Sequence, residues 1–240
     1  MTGSPKVGCS WFAAMAGWEI LRANLLVEGT SDVRYFKLAD SLHFKNTGNH
    51  LLGIDLAVSA VGIKDDGGTY GIMDKFPTIT TVSKMDVDHN QRQIYRFIAL
   101  VDDDNMGRSA IKKISTSRRD IREYESIFRL QRTMPMRAGN AAKLAERSRE
   151  QNAMFEMDCV IEDLLPIDIC NEYIKSNPHH LNPTLVLKNG GHHAKWHPER
   201  KAGLLRFAET HAVFEDMVNI ISVLKALRSY LALPPEGVNG

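Results

Sequence analysis

The sequence predicts an α/β fold: a mainly parallel sheet of about four strands, with further helices gathered toward the C-terminus. Short apolar runs at residues 24–27, 54–60 and 94–101 alternate with stretches of helical spacing, which is the signature of β-α-β units. The closing run Phe97-Ile98-Ala99-Leu100-Val101 carries no polar alternation, as a strand covered on both faces requires. With 240 residues, 43% of them hydrophobic and 25% charged, the chain is long enough for a sizeable core. Collagen, coiled coil and wholesale disorder are excluded.

Residues 24–27 form the first expected strand and stop at Glu28-Gly29. From Ser31, a candidate N-cap, Val33, Tyr35, Phe36, Leu38 and Ala39 take helical spacing. The second strand, 54–60, leads through Gly62 and the turn-rich Asp65-Asp66-Gly67-Gly68 into a short helix near 70–75 that Pro77 ends. Residues 78–83 are β-prone. The strand at 94–101 runs into Asp102-Asp103-Asp104, and Gly107 and Arg108 open a helix whose pattern continues to about Leu130. Beyond the breakers Pro135 and Gly139 come a helix over 140–151 and a fourth strand over 154–161, ending at Glu162-Asp163. Residues 176–183 and the Gly- and His-rich 189–198 read as loops, and 199–233 as helix. The expected division is an α/β domain over 20–165, with a basic helical insertion at 108–150, and a mainly helical extension over 166–240. There is no internal repeat.

Composition narrows the function classes. No apolar run approaches the roughly 18–20 residues of a membrane span. The apolar stretch 11–18 follows Lys6, but Glu19 and Arg22 come at once and no cleavage site is offered, so a signal peptide is not expected. Three cysteines, Cys9, Cys159 and Cys170, are an odd number without CxxC spacing, which points to a reducing, cytoplasmic setting and away from zinc or a disulfide framework. The net charge of +1 hides an asymmetry: residues 108–150 hold twelve Lys or Arg against five acids, leaving the remainder at −6. A basic stretch beside acids suits a polyanion surface next to a metal site, although a charge run is also an ordinary solvated face.

The chemistry lies at strand ends. In an open parallel sheet, sites form beyond the carboxyl ends of the strands, and Glu28, Asp102 to Asp104 and Glu162 all sit at such ends. Hard divalent cations take several oxygen ligands and keep waters that a phosphate can displace. Asp102 and Asp104, two apart, face one way if the chain stays extended, with Asp103 facing the other. The similar Asp86-Val87-Asp88 follows a weaker strand and no Gly-Arg sequel. A calcium loop starting at Asp102 fails, because Lys113 stands where a bidentate Glu belongs.

Leu26-Val27-Glu28-Gly29-Thr30-Ser31-Asp32-Val33 and Leu100-Val101-Asp102-Asp103-Asp104-Asn105-Met106-Gly107-Arg108 together resemble the TOPRIM domain shared by bacterial primases, topoisomerases and a class of nucleases. The resemblance implies a Rossmann-like domain over roughly residues 24–165. Asp32, four positions after Glu28, and Glu162 in Val160-Ile161-Glu162-Asp163-Leu164 are similar to the nuclease branch named for overcoming lysogenization defect. It implies phosphodiester hydrolysis with one or two Mg²⁺ or Mn²⁺, Glu28, Asp102 and Asp104 acting as the catalytic, metal-holding set and Asp32 and Glu162 completing it. Arg108, Lys112, Arg118 and Arg119 would bind the nucleic acid, DNA or RNA. Relatives in that branch work in anti-phage defence beside an ABC-type ATPase; with no GxxxxGK[ST] here, that partner would be another polypeptide. They also carry a lysine near the domain's end, for which Lys188, Lys195 and Lys201 are all candidates. Val160 stands where such nucleases often have a polar ligand.

Alternatives stay open: a TOPRIM-like module that binds nucleic acid or a partner without cutting, and an RNA-processing maturase. His193 and His197 have the i, i+4 spacing of a zinc helix, but flanking Gly190-Gly191 and Pro198 favour a loop. The apolar stripe Leu204, Leu205, Phe207, Ala208, Val213, Phe214, Met217, Ile220, Ile221, Leu224 and Leu227 reads as packed helices, or, if left exposed, as a surface for self-association or for docking an ATPase.

Overall fold

In the computed structural model, which describes residues 8–62, 67–178 and 183–237, strands β1 (Ala23–Val27), β2 (Leu56–Ala60), β3 (Arg96–Val101) and β4 (Ile127–Arg129) form one all-parallel sheet in the order β2-β1-β3-β4. The order reverses between β1 and β3. That reversal opens a crevice at their carboxyl ends, and Glu28 and Asp102 are the residues that immediately follow them.

Strand pleating sorts the apolar residues into two cores. Leu25, Val27, Ile98, Leu100 and Phe128 face one; Leu26, Phe97, Ala99, Val101 and Ile127 face the other. The second core is closed by helices α1 (Gly8–Ala16), α3 (Gly68–Met85) and α4 (Asn105–Ser117). The first takes α2 (Thr30–Thr47), α5 (Ala141–Asn152), α6 (Ile167–Ser176), α7 (Pro198–His211) and α8 (Val218–Tyr230). Helices on both faces of a parallel sheet make the fold Rossmann-like, as expected. The C-terminal stripe is core: Leu204, Leu205, Ala208, Met217, Ile220, Leu224 and Leu227 are buried, and Val213 is its exposed member. Residues 108–150 hold α4, β4 and α5, so this stretch supplies a strand of the sheet itself.

Several local expectations are corrected. Residues 78–83 lie inside α3, and Pro77 does not end it. Burial of Ile72, Phe76 and Ile79 overrides β propensity there, while Thr78, Thr80 and Thr81 donate to the carbonyls of Asp74, Phe76 and Pro77. The helix opened at Gly107 stops at Ser117 instead of reaching Leu130, and the three-residue β4 follows. Residues 154–161 are not a strand; they meet the sheet through one bridge, Cys159 to Asp103, before a 3₁₀ turn at Ile161–Leu164. The stretch taken for loop around 189–198 holds one arm of an antiparallel hairpin, β5 (Thr184–Lys188) and β6 (Gly191–Lys195). The N-cap of α2 is Gly29, not Ser31. Asp65 and Asp66, and residues 179–182 of the expected 176–183 loop, fall outside the described residues.

One buried ion pair ties the C-terminus to the sheet. Arg228 on α8 is fully buried; its guanidinium donates at 2.6 and 2.8 Å to the two carboxylate oxygens of Asp55 and at 2.7 Å to the Leu51 carbonyl. Asp55→Ala strands that cation in the interior and is expected to cost about 3–5 kcal/mol. Adding Arg228→Met should recover most of the loss. Urea denaturation of the single and double variants measures both.

Candidate functional site

The site is built from backbone turns that aim acids into the β1/β3 crevice. After β1 the chain turns at Gly29, whose N–H donates to Asp32 Oδ2 at 2.9 Å, so Asp32 caps α2 from within its first turn. Glu28 Oε1 accepts the Asp102 N–H at 3.0 Å, which ties the ends of β1 and β3 together. The start of α3 closes over the other side. Gly68 N–H donates to the Glu28 carbonyl at 3.0 Å, and the Thr69 hydroxyl faces Glu28 Oε2 at 3.3 Å. Gly67 allows this close approach, because a Cβ there would crowd the Gly62 carbonyl oxygen at 3.0 Å and that of Glu28 at 3.2 Å.

The Asp triplet divides as the spacing predicts. Asp102 turns toward Glu28 and Asp32. Asp103 turns away, pairing with Arg108 at 2.9 Å and Arg129 at 3.2 Å. Asp104 caps α4, accepting the Gly107 N–H at 2.8 Å, and its charge acts on Glu28. Gly107 is needed because any Cβ would collide with the Asp102 carbonyl. The decoy Asp86 has a structural task, accepting the Gly8 and Cys9 N–H groups that begin α1.

Glu162 joins from the 3₁₀ turn and is 2% exposed. Asp163 points the other way, accepting from the Val160 and Ala194 N–H groups and holding His193 Nδ1 at 2.7 Å. Of the three candidate lysines, Lys201 on α7 enters the site, with Nζ 3.1 Å from Glu162 Oε2. Lys188 pairs with Glu156 instead, and Lys195 is exposed.

The acids perturb one another. Burial, then the charge of Glu162, raises Asp32 to about 7 against an opposing hydrogen bond from Gly29. Asp102 is pushed well up by burial and by Asp32 and Glu28. Glu28 is raised by burial and by Asp104, although the Asp102 N–H and Thr69 pull it down. Burial lowers Lys201, but Glu162, Asp102 and Asp32 outweigh it and hold the ammonium above its usual range. Tyr35, one helical turn from Asp32, buries a hydroxyl with no hydrogen-bond partner among the described residues, in the field of Glu162 and Asp32.

Among the described residues, several acids against a single lysine is a surplus of negative charge, and hard oxygen donors of this kind suit Mg²⁺ or Mn²⁺. Among the described residues, however, no three His, Cys, Asp or Glu side chains already close on a metal position. Glu28, Asp32 and Asp104 each have one oxygen held by a backbone N–H. The histidines form no zinc helix, since His193 lies in β6 and His197 is the residue just before α7.

The expected basic residues are not gathered at the acids. Arg108 is spent on Asp103 and Asp158, and Lys112 is exposed on α4. Helix α4 leads away from the crevice for 13 residues, which carries Arg118 and Arg119 about 20 Å from Asp104. Arg118 pairs with Asp120 there. Sequence reasoning missed Thr69 and Tyr35 and left Lys201 unresolved; only Tyr35 had a local signal, its i, i+3 spacing from Asp32.

No protein-family model, curated protein or solved structure matches the chain. No helix among the described residues is long and apolar enough to cross a membrane.

A raised acid links folding to pH with a fixed sign. Folded Asp32 holds its proton up to about 7, whereas the unfolded chain releases it near 3.8. Its contribution therefore destabilises the metal-free protein progressively as pH rises through that window, and is constant above it. The urea midpoint in EDTA should fall across this range, and Asp32→Asn should flatten the fall.

Proposed function

We propose that this chain is a metal-dependent nuclease that hydrolyses phosphodiester bonds of nucleic acid. The observation that carries the reading is the convergence of Glu28, Asp32, Asp102 and Glu162, from separate stretches of chain, on the β1/β3 crevice around one lysine. The TOPRIM-like order of Glu-Gly and DxD motifs supports the same class. The role of anti-phage effector beside a separate ABC-type ATPase rests on that resemblance.

Glu28, Asp102 and Asp104 would hold the principal Mg²⁺ or Mn²⁺, with Asp32 and Glu162 around it. When bound, the ion supplies a lowered pKa for water and neutralises charge developing on the phosphate. Lys201 brings a fixed positive charge into the crevice beside Glu162, where it can hold a phosphate oxygen as the ester approaches the acids. Glu28 Oε1 is engaged by the Asp102 N–H, so the oxygen free to exchange a proton is Oε2, which Thr69 steadies. Burial raises its pKa, the direction in which a carboxylate gains the proton affinity that proton transfer needs.

A binding module without cleavage is the second reading, favoured by the unclosed arrangement of the acids. Purified protein incubated with plasmid DNA, single-stranded DNA and bulk tRNA separates the two. Cleavage should require Mg²⁺ or Mn²⁺, stop with EDTA, and fall about 10²–10³-fold in Glu28→Gln, Asp102→Asn and Lys201→Met. Folded wild type that binds these polymers with metal and cuts none of them would favour the module.

A further inference from the structure

The pole of the sheet opposite the acids carries a concentration of positive charge that the proposed chemistry does not use. Arg22 immediately precedes β1, and Arg96 is the first residue of β3, in register with Ala23. The Arg96 N–H donates to the Arg22 carbonyl at 2.9 Å, so the two residues are fixed side by side. Arg137 arrives from the loop before α5. Its Nη1 donates at 3.0 Å to the Tyr230 carbonyl, while Arg96 Nη1 donates at 2.7 Å to the next carbonyl, that of Leu231. Consecutive carbonyls at the end of α8 thus hold two guanidinium groups together, with a third alongside.

Capping a helix does not account for three cations. The carboxyl end of a helix is equivalent to about half a negative charge, so roughly two and a half positive charges stay uncompensated. No carboxylate of a described residue pairs with Arg22, Arg96 or Arg137. Asp55, whose carbonyl accepts the Ala23 N–H next to Arg22, commits its carboxylate to Arg228. Arg96 and Arg137 each use one nitrogen on the helix end, and the side chain of Arg22 makes no hydrogen bond to a described residue. The remaining donors are presented together. Burial first, and then the neighbouring charges of Arg137 and Arg22, push Arg96 below its usual range, so the three cations lie within electrostatic reach of one another.

We propose that Arg22, Arg96 and Arg137 form a phosphate-binding site that grips the backbone of a polynucleotide away from the acidic crevice. The polynucleotide is the source of phosphate that the proposed nuclease reading supplies, and the inference rests on that reading for this point. From Arg22 to Glu28 the strand rises about 20 Å, so the site anchors the polymer without crowding the carboxylates. Arginine suits it because its planar fork pairs with phosphate oxygens bidentately.

The test is equilibrium binding of a fluorescent 30-base-pair duplex to the full chain in EDTA, over a range of salt. Cleavage plays no part in this readout, so a failure of the nuclease chemistry leaves it intact. Arg22→Glu, at an exposed side chain that makes no hydrogen bond to a described residue, should weaken binding about tenfold without lowering the thermal midpoint. Arg22→Glu with Arg96→Gln and Arg137→Gln should lower the slope of log K against log salt by about one per arginine. Wild-type binding retained in both variants, or no duplex binding by wild type, overturns the proposal. Calorimetry with inorganic phosphate reads the other source. Phosphate bound by wild type and lost in the triple variant, with no duplex bound, would assign the site to a free anion and overturn the polynucleotide.

Discussion

Gathering carboxylates at the mouth of a parallel sheet is the constraint around which this structure is arranged. Two carboxylates about 6 Å apart repel by about 3 kcal/mol at an effective dielectric near 20, more than an ordinary hydrogen bond returns. The local architecture reads as a response to that repulsion. Backbone N–H groups of Gly29, Asp102 and Gly107 are spent on acids, Thr69 steadies Glu28, and Lys201 enters from a distant helix. Even so, Asp32, Asp102 and Glu28 all stay above the usual carboxylate range. Carboxylate oxygens of this kind are the donors that hard divalent cations take.

The C-terminal third belongs to this arrangement. Helix α7 delivers Lys201, α8 fills the core beneath β1 and β3, and Arg228 fastens α8 to the entry of β2 through Asp55. A division near residue 165 would place the lysine that neighbours the acids among the described residues, Lys201, in the other part, along with helices that cover one face of the sheet. The two poles of the sheet also carry opposite charge, acids at the carboxyl ends and Arg22, Arg96 and Arg137 at the amino ends.

Legibility in the sequence followed the strength of local signals. Strands β1 and β3 end in the unbroken apolar runs 25–27 and 97–101, and the acids that follow identify themselves by position. Strand β4 has three residues, too few for alternation to register, and is defined by pairing with β3. Residues 78–83 are rich in Thr, Ile and Val and read as β, but burial of one helical face decides otherwise. The position of Lys201 depends on how α7 packs, which no local pattern encodes. Direction explains the error over the basic stretch: α4 starts at the acids but runs away from them, so Arg118 and Arg119, near in sequence, end up remote. The Arg22, Arg96 and Arg137 cluster drew no attention for the converse reason, since its members are scattered along the chain.

The central claim is that the crevice acids form a cation site. Calorimetric titration of the metal-free protein with Mn²⁺ near pH 7, repeated in buffers of different ionisation enthalpy, tests it most directly. The account predicts Mn²⁺ binding accompanied by proton release, because acids held partly protonated must ionise to accept the ion, and predicts that Asp102→Asn abolishes both. Absence of Mn²⁺ binding by folded protein, or binding indifferent to Asp102→Asn, would contradict it.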